Sequence, residues 1–192
     1  MSRVQVSNEI IARCCAAIKL SEIFSPNVAN VTIILQQSIT AGAQWKALYK
    51  RTVAAIAQTS TRPWDHDLSP IFAHMDAFVQ RCSDLLEVCD AQLQFAGQRP
   101  LPLFGGTRGE ETKQIILDIQ ATFRSRVAAL AGRTYDILDV KITRWHDDFN
   151  VFKAAVKDLE ELLIKATDRA IESVSCLRDR TMLIEALQVG FI

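Results

Sequence analysis

Glycine and proline are scarce in this chain, with 7 Gly and 5 Pro among 192 residues. These residues make the tight turns of all-β and strongly α/β folds, so their shortage argues against an architecture of hairpins and short crossovers. Net charge is missing too, since 22 Lys+Arg are matched by 22 Asp+Glu. A chain without an overall field neither gathers nucleic acid nor holds itself on an anionic membrane, and no partner of either kind is expected. Paired cysteines are also lacking. Cys14, Cys15, Cys82, Cys89 and Cys176 form an odd set without framework spacing, which favours a reducing compartment over a secreted disulfide scaffold. Arg3, Glu9, Arg13 and Lys19 interrupt the first twenty residues, so no secretory leader is expected. One long run, Ile23 to Trp45, has no charge and could span a bilayer by length, but it carries Pro26, Asn27, Asn30, Gln36, Gln37 and Ser38. Each is costly in hydrocarbon, and a helix buried in protein is the expectation.

What the chain does have is apolar material in helical order. Hydrophobic residues make up 49% of it against 23% charged, enough for one ordered domain. After Pro26 the apolar series runs Val28, Val31, Leu35, Ser38, Gly42, Trp45, Tyr49, Thr52, Ile56, in alternating steps of three and four. Pro63 closes it, because the residue before a proline is pushed out of the helical region. Ser69-Pro70 has the form of an N-cap followed by proline at the first helical position, and the stripe Phe72, Met75, Val79, Cys82, Leu86, Cys89, Leu93 follows. Beyond a Gly/Pro loop at 98–109, Ile116, Ile119, Phe123, Val127 and Leu130 carry the next buried face. From Arg133 to Val189 there is neither Gly nor Pro, and the stripe includes Tyr135, Leu138, Ile142, Trp145, Phe149, Phe152, Val156, Leu159, Leu163, Ala166 and Ala170. The predicted helices are about 7–24, 27–59, 69–96, 109–131 and 133–189. A last helix of about 50 residues would be about 75 Å long. Either it is a rod or it breaks near Thr143 to Asp148, and periodicity leaves both open. The fold class is all-α, an elongated bundle of long antiparallel helices. Trp145, Phe149, Phe152 and Val156, with Phe72, Val79 and Leu86, are expected to form its structural and interaction seam.

Catalytic chemistry demands particular spacings, and the sequence does not supply them. Gly105-Gly106-Thr107-Arg108-Gly109 is glycine-rich but lacks the Gly-Lys-Ser/Thr ending of a phosphate loop, and Glu110 and Glu111 follow it at once. A di-iron bundle needs Glu three residues before His, whereas Pro63, Ile71 and Thr143 stand before His66, His74 and His146. Cys82 and Cys89 share a stripe but lie about 10 Å apart along one helix, too far to share a metal ion. His146-Asp147-Asp148 has no nucleophile placed around it by sequence. No catalytic, cofactor-binding or metal-ligating residue is expected in this chain.

Several ordered motifs carry more information than these absences. Arg62-Pro63-Trp64-Asp65, Phe72-Ala73-His74-Met75-Asp76-Ala77-Phe78, Asp84-Leu85-Leu86-Glu87-Val88-Cys89, Leu103-Phe104-Gly105-Gly106-Thr107-Arg108-Gly109, Tyr135-Asp136-Ile137-Leu138-Asp139-Val140 and Arg144-Trp145-His146-Asp147-Asp148-Phe149 occur in this order. Together they resemble the N-terminal tail region of axonemal dynein heavy chains. The likeness covers roughly Gln44 to Leu187 and is weaker over residues 1–43. The chain also stops in mid-stripe at Phe191-Ile192, as a piece of a very long protein would.

The resemblance implies an extended helical tail segment. Its implied partners are other dynein heavy chains, WD-repeat intermediate chains and light chains, with the doublet microtubule of the axoneme reached indirectly. It implies a place in the cilium or flagellum. ATP and Mg would belong to the motor domain of the parent chain and not to these residues. Two rivals stand beside it: an unrelated helical adaptor or tether, which would show the same periodicity, and a small helical enzyme, which would need a pocket of convergent polar groups.

Overall fold

The computed structural model describes residues 3–59, 69–95 and 106–173, together with Thr181 and Ile184. Among these residues the regular structure is entirely helical: α1 Arg3–Ala17, α2 Leu20–Ile23, α3 Ala29–Thr59, α4 Ser69–Phe95, α5 Gly106–Ala131 and α6 Arg144–Ser173. The chain divides into two compact units. Residues 3–23, 27–59, 69–87 and 136–142 belong to the first, and residues 24–26, 88–95, 106–135 and 143–173 to the second.

In the first unit α1 and α2 both pack on α3. The stripe read from the sequence is the buried one: Val28, Val31, Leu35, Ser38, Gly42 and Trp45 all face inward. Ser38 is tolerated there because its hydroxyl donates to the Ile34 carbonyl at 2.8 Å, so no polar atom is left unpaired. The facing stripe of α4 is Phe72, Met75, Phe78, Cys82 and Leu85, all buried. Gly42 lets the two helices approach closely, with Val79 and Met75 filling the space where a side chain would stand.

In the second unit α5 packs along α6. Phe95, Phe123 and Phe152 form a chain of rings with centroids 5.3 and 6.2 Å apart, within the range of favourable aromatic pairs. Trp145 stacks on Phe149 one turn along, at 5.7 Å. Leu159, Leu163, Ala166 and Ala170 continue the buried face of α6.

Three helices differ in their bounds from those read in the sequence. The stretch expected as one helix over 133–189 is not continuous: turns occupy 132–143 and α6 starts at Arg144. Its backbone is satisfied without helix. Asp136 accepts from the Leu138 N–H at 2.9 Å, Asp139 from the Lys141 N–H at 3.0 Å, and the Arg81 guanidinium donates to the carbonyls of Ile137, Asp139 and Ile142. These bonds replace the ladder that periodicity alone would have continued. The helix expected over 7–24 is also divided, because α1 ends at Ala17 and the short α2 follows. In addition, α5 begins at Gly106 within the loop expected at 98–109, so Glu110 and Glu111 sit beyond its first turn. The expected loop residues 98–105, the Arg62–Asp65 motif and nearly all of the stripe beyond Ser173 lie outside the described residues.

Candidate functional site

The sequence seam falls on both units, and burial grades its members. Phe72 lies in the first unit with half-buried Val79 and Leu86. Trp145, Phe149 and Phe152 lie in the second with half-buried Val156. Trp145 is 1% exposed. These rings are spent on the chain's own core, so contact with another chain must use other surface.

Around Phe72 the first unit assembles an aromatic and cationic cluster. Trp45 and Tyr49 each meet the Phe72 ring edge-on, with centroids 5.5 Å away. Lys46 is paired with Asp76, and the ammonium groups of Lys46 and Lys50 stand 5.5 and 5.7 Å from the Phe72 centroid, within reach of its π face. The Tyr49 hydroxyl is buried without a hydrogen-bond partner, as is that of Thr32.

Burial controls the thiols. Desolvation, with smaller contributions from Cys14 and Cys15, pushes the Cys82 thiol up to about 12. Cys15 is raised by burial and by Asp136. Both are protonated at neutral pH and poorly suited to nucleophilic work. Glu22 moves the other way, held below the usual carboxylate range by the hydrogen bond from Asn30 and then by Lys19.

At the base of α6 in the second unit, Asp148 accepts from the Tyr135 hydroxyl at 2.6 Å and pairs with Arg133 at 2.7 Å. An open cleft of about 350 Å³ adjoins them, lined by Gly132, Arg133, Thr134, Tyr135, Arg144, Asp147 and Asp148. Its two arginines face two aspartates. Among the described residues no three His, Cys, Asp or Glu side chains gather as a metal ion would require. Among them, too, no helix is long and apolar enough to cross a membrane.

Sequence periodicity marked mostly buried residues, but it placed Leu93 on the buried stripe of α4, where the side chain is 58% exposed, and it overlooked other apolar residues that remain outside. Val151, Leu162 and Ile164 on α6 are 65%, 50% and 58% exposed. On α3, Ile33 and Leu48 are 54% and 55% exposed.

A family model described as dynein heavy chain, N-terminal region 1, matches residues 4–191. The chain belongs to the dynein heavy chain family. That match takes in residues 4–43, where the motif resemblance was weakest, and it sets aside an unrelated adaptor. The dynein-1-beta heavy chain of the flagellar inner arm I1 complex from Chlamydomonas reinhardtii is 57% identical over 184 residues, 96% of this chain. The dynein beta chain of the flagellar outer arm from the same organism is 22% identical over 185 residues. Human dynein axonemal heavy chain 2 is 36% identical over 104 residues, 52% of this chain. This dynein segment spans only 4% of the length of either Chlamydomonas protein and 2% of the human one.

Proposed function

We propose that this chain is a structural segment of an axonemal dynein heavy-chain tail, without catalytic activity of its own. In this reading it joins its heavy chain to other heavy chains and helps to seat WD-repeat intermediate chains and light chains. The parent would be an ATP-driven, minus-end-directed microtubule motor, docked on the doublet of a cilium or flagellum. ATP and Mg would bind in that parent's motor domain.

The observation that carries the reading is the 57% identity to an inner-arm heavy chain along nearly the whole segment. The outer-arm beta chain reaches 22% over a similar length, which favours an inner-arm member. The exposed Val151 and Leu162, about three turns apart on one side of α6, support a segment partly covered by other chains, because apolar groups sharing an outward helix face are a common mark of an interaction surface.

Epitope tagging of the parent heavy chain, with and without residues 3–173, tests this. The intact chain is expected in axonemes and should co-purify with further dynein subunits. The deletion should lose at least one of them. An intact chain that stays out of the axoneme, or a deletion that keeps every subunit, would contradict the role.

A further inference from the structure

The segment between α5 and α6 carries the signals of a helix that it does not form. From Arg133 to Thr143 it has neither glycine nor proline, and Tyr135, Leu138 and Ile142 continue the apolar spacing of Trp145 and Phe149. Its backbone bonds reach back three residues instead of four. The Asp139 N–H donates to the Asp136 carbonyl at 3.2 Å, the Ile142 N–H to the Asp139 carbonyl at 3.1 Å and the His146 N–H to the Thr143 carbonyl at 3.0 Å. Exchanging such bonds for helical ones needs only a shift of each acceptor by one residue. A cap already stands in place. Asp136 Oδ1 accepts from the Leu138 N–H at 2.9 Å, the bond that an N-cap aspartate makes to the second residue of a helix. Asp139 occupies the third position, where a carboxylate suits the positive end of the helix.

Two side chains from elsewhere hold the turns. Arg81, buried on α4, donates to the carbonyls of Ile137, Asp139 and Ile142, the last two at 3.4 and 3.1 Å. In a continuous helix those carbonyls would accept from the N–H groups of Lys141, Thr143 and His146, so the guanidinium stands in for the helix's own donors. Asp148 holds the other side, accepting from the Tyr135 hydroxyl at 2.6 Å and pairing with Arg133 at 2.7 Å. A helix running unbroken from Ile137 to Asp148 would be about 17 Å long, too long for Tyr135 to reach back to that carboxylate. The two arrangements therefore exclude each other. The bonds of Arg81 lie within the first unit and those of Asp148 within the second, and the chain passes from one unit to the other between Ile142 and Thr143.

We propose that residues 137–143 are a two-state latch: turns while Arg81 and Asp148 hold them, and an N-terminal extension of α6 when both are released. The extension adds about two turns, or about 10 Å, to the helix. Asp136 caps it, and Leu138 and Ile142 come into line with Trp145 and Phe149. The intact chain occupies the turn state for two reasons. The helical state gives up the burial of Ile137, which is 3% exposed, and it takes three carbonyl acceptors from a buried guanidinium. The latch is independent of the assembly role proposed above, since it concerns a step within one chain.

Backbone carbon chemical shifts of the 192-residue chain, measured by NMR, read the state residue by residue. In the unmodified chain helical shifts should begin at Arg144. In Arg81→Met/Asp148→Ala, which removes both holds, they should begin at Ile137 even though overall stability falls. Arg144→Pro is the control. Position 144 is the first residue of α6, where proline is tolerated, but it lies inside the extended helix, which proline breaks. Arg144→Pro should leave the shifts of the otherwise unmodified chain as they are, and added to the double variant it should return the helix start to position 144. Should the double variant not fold, Val140→Ala/Thr143→Ala carries the test with both holds intact. Its higher helix propensity should move the shifts of 137–143 partway towards helical values. Coil-like shifts over 137–143 in the double variant would mean that Arg81 and Asp148 merely order a loop, and would overturn the proposal. Helical shifts that survive Arg144→Pro, or an alanine variant whose shifts do not move, would overturn it too.

Discussion

Gly42 of α3 lies so close to Val79 of α4 that a Cβ added at position 42 would stand 2.6 Å from Val79 Cγ2, with Met75 Sδ at 3.2 Å. The buried stripe of α3 narrows at this residue, and a helix pair that needs a bare backbone there is sensitive to one methyl group.

Gly42→Ala is expected to destabilise the fold. Removing a glycine from a helix interior gains about 1 kcal/mol in propensity, while overpacking costs about 1 to 3 kcal/mol. Val79 is β-branched and stiff, so it does not swing aside cheaply, and the clash should win by about 1 kcal/mol. The double variant Gly42→Ala/Val79→Ala should be more stable than the two single losses added together. Urea denaturation of the four proteins in the cycle measures it, and simple additivity would show that the two residues do not touch.

Arg81 is buried on α4 and donates to the carbonyls of Ile137, Asp139 and Ile142. Arg81→Met leaves three carbonyls without that donor and should cost about 2 to 4 kcal/mol. Arg81→Lys should rescue little, because an ammonium cannot reproduce the planar fork. Full rescue by lysine, measured by chemical denaturation, would show that charge alone matters there.

These two residues mark how much of the fold was legible in the sequence. The face of α3 was readable because Val31, Leu35, Ser38, Gly42 and Trp45 keep helical spacing, and spacing is a local property. The end of the helix expected to begin at Arg133 was not readable from periodicity, because Tyr135, Leu138 and Ile142 continue the stripe through residues that are in fact turns. The interruption depends on Arg81, more than fifty residues away, and no window of sequence contains it. A local hint did exist in Asp136 and Asp139, whose side chains accept N–H groups two residues on. The seam was legible as core at Trp145, Phe149 and Phe152. Which apolar residues stay outside was not, because Ile33 and Val151 look like any other widening of a stripe until packing leaves them uncovered.

Trp145 sits fully enclosed against Phe149. Trp145→Ala should cost about 3 to 5 kcal/mol, and Trp145→Phe considerably less. A melting midpoint unchanged by the alanine variant would place the indole at the surface.

Cys82 makes stability depend on alkaline pH. Its thiol is raised to about 12 in the folded chain, chiefly by desolvation, from an ordinary value of 9.0. The folded state therefore keeps a proton that the unfolded state releases. The sign is that of a raised pKa: the contribution is fully present below pH 9 and is lost as pH rises from there towards 12. Cys82→Ala should show a shallower loss of stability over that window than the unmodified chain. Cys82 should also resist alkylation at pH 8 until the chain is unfolded. Rapid labelling of the folded protein at this position would contradict its burial.

The most direct measurement is crosslinking mass spectrometry of the dynein complex extracted intact from axonemes. Residues of this segment, α3 and the outer face of α6 above all, should crosslink to other dynein subunits or to a second heavy-chain tail. A native complex in which this segment crosslinks only to itself within one chain, while the rest of the heavy chain crosslinks freely to its partners, would contradict a role in assembly.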